Sequence, residues 1–494
     1  MEHTYLRYEC ADSFGLVVAS SSSKAPPSSS ILGFLEAAVP GQTAPLLLTT
    51  AGSYCVGYNV RTSVPVLQLG HREHLSGGVG TGRALNSDEV VCLDIIFLQG
   101  VDSSYRIATG WVDGAVRIFT VTQDEATKAS SFPKGMAHTI LKDDEEDDEF
   151  SQREPLVLNG HNQSPVRTLA FDKCNQLTSS RLASGASDGS VVLWDVVAET
   201  GMFRLLGHRG GVTEIKFLHL DTLDHLITTC LDGLVKIWDL EGQCCVQTIA
   251  NHRGEVWGAD LACLADHQHQ DVKRWRLVTG GNDGQVRVWS AEAPKRSKSN
   301  DLTEAENEAP ADGKSGSLDD LCQFLGFLSP PPNVPTSSEK ISSIHFHPSG
   351  RFAGVLRAGS KTVDVYSVRS TQEALKKRQR RLKRREEKKK KRDHGDYKTT
   401  SKSGQKRGIL DDPESEDDAG AAGDADGVRE EEFVNPELVK ASDEFEYLLT
   451  VRANHKIRDF IFVSQKEKGE LTRIVFALAT NSFETFSLVR KKSQ

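Results

Sequence analysis

Residues 182–195 read LASGASDGSVVLWD. Two short apolar runs flank an Asp-Gly pair, with a hydroxyl four residues before the Asp and a Trp six residues after it. The frame returns as LITTCLDGLVKIWD (226–239) and LVTGGNDGQVRVWS (277–290). Ser184, Asp188 and Trp194 are thus matched by Thr228, Asp232 and Trp238, then by Thr279, Asp283 and Trp289. A histidine precedes each copy: His161, His208 and His252. The Asp-Gly pair suits a tight turn between antiparallel strands. Each Ser/Thr, His and Asp could be written as a catalytic triad, but a nucleophile is not repeated once per structural unit. Indole N–H, hydroxyl, imidazole and carboxylate make better sense as a buried polar network tying strands together. No catalytic residue, metal site or cofactor is therefore expected.

Weaker copies flank the clear ones. RIATGWVDGAVRIFT (106–120) keeps Thr109 and Asp113 but has Phe119 in the Trp place, with Gly70-His71 far upstream. LLLTTAGSYCVGYNV (46–60) has Tyr58 there, and two later copies end around Tyr366 and Phe486. The clear Trp residues are 44 and 51 positions apart, near the length of one propeller blade. The ladder resembles the WD-repeat family, which implies an all-β fold: a single WD-repeat β-propeller of about seven four-stranded blades spanning 1–490. Clear blades occupy 157–292, and degenerate ones 1–121, 340–369 and 446–490. The N-terminal YLRYECADSFGLVVAS is expected to lend a strand to the last blade, closing the ring and removing an open edge. Two departures stand out in the third copy: Asn251 before its His, and Ser290 where Asp is usual.

The 494 residues carry a net charge of −9, so the whole chain is not a basic nucleic-acid coat. Nine scattered cysteines without a CxxC pair argue against a disulfide framework or zinc site and for a reducing compartment. The N-terminus lacks a signal-peptide pattern, and no apolar run reaches membrane-span length, so no membrane association is expected. Three stretches lack strand periodicity, and they are expected to be long charged insertions between blades, mostly disordered. They are acidic 122–156 (with KDDEEDDEF), linker 292–339, and 370–445, which is basic and then acidic. Within the linker, Leu318, Leu321, Phe324, Leu325 and Leu328 share one face at helical spacing, predicting a short amphipathic helix. Packing on its own propeller is preferred for it over partner docking.

The basic run holds thirteen Lys or Arg in seventeen positions: Lys376, Lys377, Arg378, Arg380, Arg381, Lys383, Arg384, Arg385, Lys388, Lys389, Lys390, Lys391 and Arg392. Its composition favours helix, and it lacks the interleaved aromatics that base stacking needs. It reads as a nuclear or nucleolar address, as a sequence-blind contact to RNA phosphates, or as a solvated segment pairing with the acids beyond it. The address is preferred, and it is compatible with RNA contact.

Several runs are similar to one family in particular. YLRY (5–8), the stretch from RLASGASDG to VTEIKF (181–217) and HRGEVWG (252–258) resemble the first propeller of the WD repeat-containing protein 3 family, also called the U3 small nucleolar RNA-associated protein 12 family. The Lys/Arg-rich insertion before the last blade fits as well. The resemblance implies a non-catalytic scaffold of the small-subunit processome in the nucleus and nucleolus, acting in maturation of small-subunit (18S) ribosomal RNA. It implies other processome WD-repeat subunits and ribosome-assembly proteins as partners, with U3 small nucleolar RNA or pre-ribosomal RNA, and no small-molecule substrate. That family has two propellers and a C-terminal helical region. The expectation here is one propeller of a fragment, a truncated gene product or a split version. Rival readings are a ubiquitin-ligase substrate receptor and a cytoplasmic trafficking or signalling scaffold. The first would be favoured by Arg two residues after a Trp-Asp pair, where this chain has Val197 and Glu241.

Overall fold

The computed structural model describes residues 4–14, 31–35, 46–60, 62–70, 89–98, 104–123, 155–173, 181–220, 223–264, 274–291, 321–332, 339–396, 439–463 and 470–492. Over these the chain forms seven four-stranded antiparallel sheets. Blade 1 holds Leu32–Leu35, Leu46–Thr50, Cys55–Asn59 and Val64–Leu69. Blade 2 holds Val90–Leu98, Ser104–Trp111, Ala115–Thr122 and Leu156–Asn159. Blades 3, 4 and 5 begin with Val166–Phe171, Val212–Leu220 and Val256–Leu264, and blades 6 and 7 with Ile341–Phe346 and Ile457–Val463. Each first strand touches the first strands of both neighbours, so the seven line a closed ring. Thr4–Phe14 is the outer strand of blade 7, paired along Phe483–Lys492. Closing the ring this way leaves blade 7 without an unfinished sheet. Phe14, Tyr58 and Phe483 meet at this closure with ring centroids 5.6 to 6.1 Å apart.

The cores lie between blades. Trp194 of blade 3 packs with Ile96 and Val116 of blade 2, and Trp238 of blade 4 packs with Leu193 and Leu205 of blade 3. Each indole buries its large apolar surface against the preceding sheet, which is why one aromatic per blade suffices as a sequence signal. The turns explain the Asp-Gly pairs. Asp188, Asp232 and Asp283 each accept the backbone N–H two residues on, from Ser190, Leu234 and Gln285. The glycine that follows sits in the left-handed region, with φ of 82° at Gly189 and 84° at Gly233. A Cβ on Gly233 would stand 2.7 Å from the Gly254 carbonyl oxygen, so both conformation and space require glycine there.

Three expectations need correction. The insertions lie within blades, not between them. The first and second separate strands three and four of blades 2 and 5, and the third does the same in blade 6. The tetrad Trp ends strand three, and a fourth strand with weak apolar patterning follows each insertion. Because strands alternate in direction, every strand three-to-four connection opens on the same face of the ring. The linker helix is instead a strand, Cys322–Phe327, paired to Val286–Ala291. Cys322 and Leu325 are buried there, and Gly326 at φ 126° is outside any helical conformation. Its packing on the propeller is as preferred; Leu318 lies outside the described residues. Finally, the basic run is ordered in an α-helix, α1 (Thr371–Asp396). The stretches 124–154, 292–320 and 397–438, and His71, lie outside the described residues.

The channel wall carries charge. Asp94, Asp260 and Asp459 each accept a backbone N–H from the next blade, from Phe171 (2.8 Å), Phe346 (2.6 Å) and Ile31 (3.2 Å). These ties fix blade against blade at the ring's centre. Lys216 spans to Asp260 at 3.0 Å and lies 3.9 Å from Glu214. Burial pushes the Glu214 carboxyl up to about 8, against the opposing pull of Lys216. Folded Glu214 thus keeps its proton to about pH 8, while the unfolded side chain loses it near 4.5. The folded state binds more protons across that window, so this residue's contribution falls as pH rises through it. Glu214→Gln is expected to match the parent near pH 4.5 and to exceed it by about 1–3 kcal/mol near pH 8. Urea unfolding at both pH values checks this, and a difference that fails to grow with pH refutes it.

Candidate functional site: polar tetrads and a docked basic helix

The repeat residues come together in each of the three clear blades. In blade 4, Trp238 Nε1 donates to Thr228 Oγ1 (2.8 Å), which lies 2.7 Å from His208 Nε2, and His208 Nδ1 meets Asp232 at 3.1 Å. In blade 3, Trp194 donates to Ser184 (2.7 Å), and His161 Nε2 is 2.6 Å from the same hydroxyl. Asp188 does not reach His161; Ser190 stands between them, 3.0 Å from Nδ1 and donating to Asp188 at 2.7 Å. In blade 5, Trp289 donates to Thr279 (3.0 Å), with His252 Nε2 at 2.8 Å. There Arg287, 1 % exposed, inserts between ring and carboxylate, donating to His252 Nδ1 (2.9 Å) and to Asp283 (2.7 Å). His252 Nδ1 also stays 3.5 Å from Asp283, so ring, guanidinium and carboxylate form one cluster.

These networks favour neutral imidazole. Burial lowers His161 to about 4 and holds His208 and His252 below the ordinary histidine range. Burial alone would raise Asp232, but N–H groups of Arg209 and Leu234 and the His208 ring pull it down. The hydroxyls of Ser184, Thr228 and Thr279 are fully buried and bonded to both Trp and His. They therefore tie strands together and present no nucleophile to solvent. His208, Cys230 and Asp232 offer ligand atoms within 4.8 Å of one another. Both imidazole nitrogens are engaged, however, and burial pushes the Cys230 thiol up to about 12, so the group belongs to the same network.

Blade 2 holds an arrangement the sequence reading missed. Thr109 accepts not from position 119 but from Trp111 Nε1 at 2.8 Å, while Phe119 is simply buried. Arg117 stacks 4.0 Å over the Trp111 ring and bonds Asp113 at 2.7 Å. The signal was present: Trp111 is two residues from Thr109, hence on the same face of a strand.

The basic run is built onto blade 6. Four residues before its outer strand (Phe445–Arg452) form a short turn of helix, α2 (Ala441–Glu444). Glu444, buried, receives both Nε and Nη2 of Arg276 of blade 5 at 2.6 and 2.7 Å. Arg276 also donates to Ser290 Oγ at 2.9 Å, the residue that stands where Asp is usual in the third repeat. α1 then docks on α2: Arg381 pairs with buried Asp443 (2.8 Å), and Lys377 donates to the Ser442 carbonyl (2.8 Å). Arg369 pairs with Glu446 at 2.5 Å. Burial and the adjacent Arg369 pull Lys377 below the usual lysine range. Of the thirteen basic residues, Lys377 and Arg381 are used for docking. Lys376, Arg380, Lys383, Arg384, Arg385, Lys388 and Lys390 are exposed and Arg378 is half-buried. Lys389, Lys391 and Arg392 continue α1.

The model of the WD domain, G-beta repeat, matches residues 153–195, 201–239 and 243–290, the stretches that carry the three clear copies of the repeat. The chain is a seven-bladed β-propeller, part of which matches the WD repeat. A stretch of 141 residues is 31% identical to human WD repeat- and FYVE domain-containing protein 4, over 28% of this chain and 4% of that protein. The propeller thus spans a small part of that relative's length. Among solved structures, the WD40 domain of Toxoplasma gondii coronin superposes with a TM-score of 0.51 at 12% identity. That match covers 98% of this chain and 86% of coronin's, and it speaks for the fold alone. A chain of the mitotic checkpoint complex crystal structure gives a TM-score of 0.47 at 10% identity, covering 95% of each. WD40 repeats commonly bind other proteins, and a protein-interaction scaffold is the role that the repeat match suggests.

Proposed function

We propose that this propeller is a non-catalytic scaffold of the small-subunit processome, acting in the nucleolus in maturation of small-subunit ribosomal RNA. Its partners would be other WD-repeat subunits and ribosome-assembly proteins, with U3 small nucleolar or pre-ribosomal RNA. The observation that carries this reading is the pairing of a closed, rigid ring with one basic helix fixed to its rim. A ring offers several surfaces to different proteins, and the helix offers fixed cations to an anionic polymer. The resemblance over 181–217 and 252–258 supports the same assignment. The test is crosslinking and sequencing of RNA bound to the chain in cells, with imaging of its location. Recovery of U3 or pre-ribosomal RNA from a nucleolar protein is the expected result. A cytoplasmic protein with no RNA above background would overturn the processome assignment and leave the protein-binding propeller.

A further inference from the structure

The basic helix has two faces of different use. The docked side of α1, the end of strand Thr362–Val368 and α2 enclose a cleft of about 990 Å³. Two of its three acids are held in ion pairs, Asp443 by Arg381 and Glu446 by Arg369, and the third, Glu373, accepts the Ser370 N–H at 3.1 Å, leaving the cations in excess. Lys376, Arg380, Arg384 and Lys388 also line it, and among the described residues none of these four sits in an ion pair. They are spaced four residues apart, one cation per turn and roughly 6 Å per step along the helix. We propose that this cleft holds the phosphate backbone of a single RNA strand, gripped by Lys376, Arg380, Arg384 and Lys388. The inference rests on the RNA-contact reading above and specifies where on the helix that contact is made.

Three properties favour this occupant. Evenly stepped cations match a polymer with one charge per unit, and the guanidinium groups of Arg380 and Arg384 suit phosphate oxygens. The lining offers no aromatic ring and only Val368 as an apolar side chain, so it lacks the anchors a protein partner would use. The same lack of rings predicts binding that is blind to base identity. A volume of this size is that of a small-ligand pocket, room for a few nucleotides of one strand and not for a duplex. Because Lys377 and Arg381 hold the helix in place, its backbone is positioned before binding and only the side chains remain to be ordered.

Basic residues of the same helix that lie outside the cleft supply a charge-matched control. Lys383 and Lys390 are exposed on α1 but do not line the cleft. The experiment measures binding of a fluorescent oligouridylate to the full chain by anisotropy across a salt series. Lys376→Ala/Lys388→Ala is expected to weaken binding by roughly 5- to 10-fold and to flatten the salt slope by about 1.4, near 0.7 for each lost contact. Lys383→Ala/Lys390→Ala, with the same charge change, is expected to stay within about twofold. Equal losses in the two pairs would overturn the cleft as the site while leaving RNA contact by the helix standing. No binding by the parent chain would refute the RNA reading itself. Displacement of the RNA by polyglutamate at equal charge concentration would assign the cleft to an acidic protein and overturn the proposal.

Discussion

Thr228→Val is expected to lower the propeller's unfolding free energy by roughly 2–5 kcal/mol. The change conserves shape, so little of that cost is a cavity. It removes the one oxygen that accepts from Trp238 Nε1 and faces His208 Nε2. Both groups are buried, and each unsatisfied polar group costs about 1–3 kcal/mol. Thr228→Ser keeps the hydroxyl, and its expected loss is under about 1.5 kcal/mol, mainly a buried methyl. Urea unfolding followed by far-ultraviolet circular dichroism measures both. A Val variant within about 0.5 kcal/mol of the parent would show that the network does not hold the sheet. A hydrolytic activity lost in Ser184→Ala with folding intact would turn the reading toward catalysis. The buried hydroxyl of Ser184, bonded by Trp194 and His161, predicts loss of stability instead.

What could be read beforehand follows from which residues carry the pattern. Blades 3 to 5 announce themselves because a Trp, a hydroxyl and an Asp-Gly turn must recur at fixed spacing for the polar network to close. Blades 1, 6 and 7 retain only the aromatic, as at Tyr58, Tyr366 and Phe486, all buried. They are legible as sheets but not in their boundaries. The fourth strands are the hardest to see. Thr200–Leu205 and Cys244–Ile249 are mostly exposed until their last residue, so they lack the alternation that marks a half-buried strand. That is why Cys322–Phe327 read as a helix and why the insertions seemed to fall between blades. The docked helix shows a different limit. Its charge was plain, but the division into holding and free residues depends on Asp443 and Glu444, some sixty residues away. The Ser290 departure was visible, yet the acid that pairs with its neighbour Arg276 lies 168 residues beyond that arginine.

Arg276→Ala is expected to have the second large effect, and a more local one. It strips Glu444 of a two-pronged ion pair at 2.6 and 2.7 Å in a site where both side chains are almost wholly buried. Breaking such a pair from one side costs about 3–5 kcal/mol, because a buried charge is left uncompensated. The strain falls on α2, the platform for α1 through Asp443 and Ser442. Hydrogen exchange should therefore quicken first in residues 371–385 and 441–452, while blades 3 and 4 keep their protection. The double variant Arg276→Met/Glu444→Leu should recover most of the loss, since removing both charges leaves no orphan. Unchanged exchange in α1 on Arg276→Ala would mean that the helix is held by its own contacts and not through blade 5. If protection in α1 is lost and RNA binding falls with it, the cations of the cleft act because the propeller holds them still. If protection is lost and binding persists, the helix needs only its charge, and the fixed geometry contributes nothing to affinity.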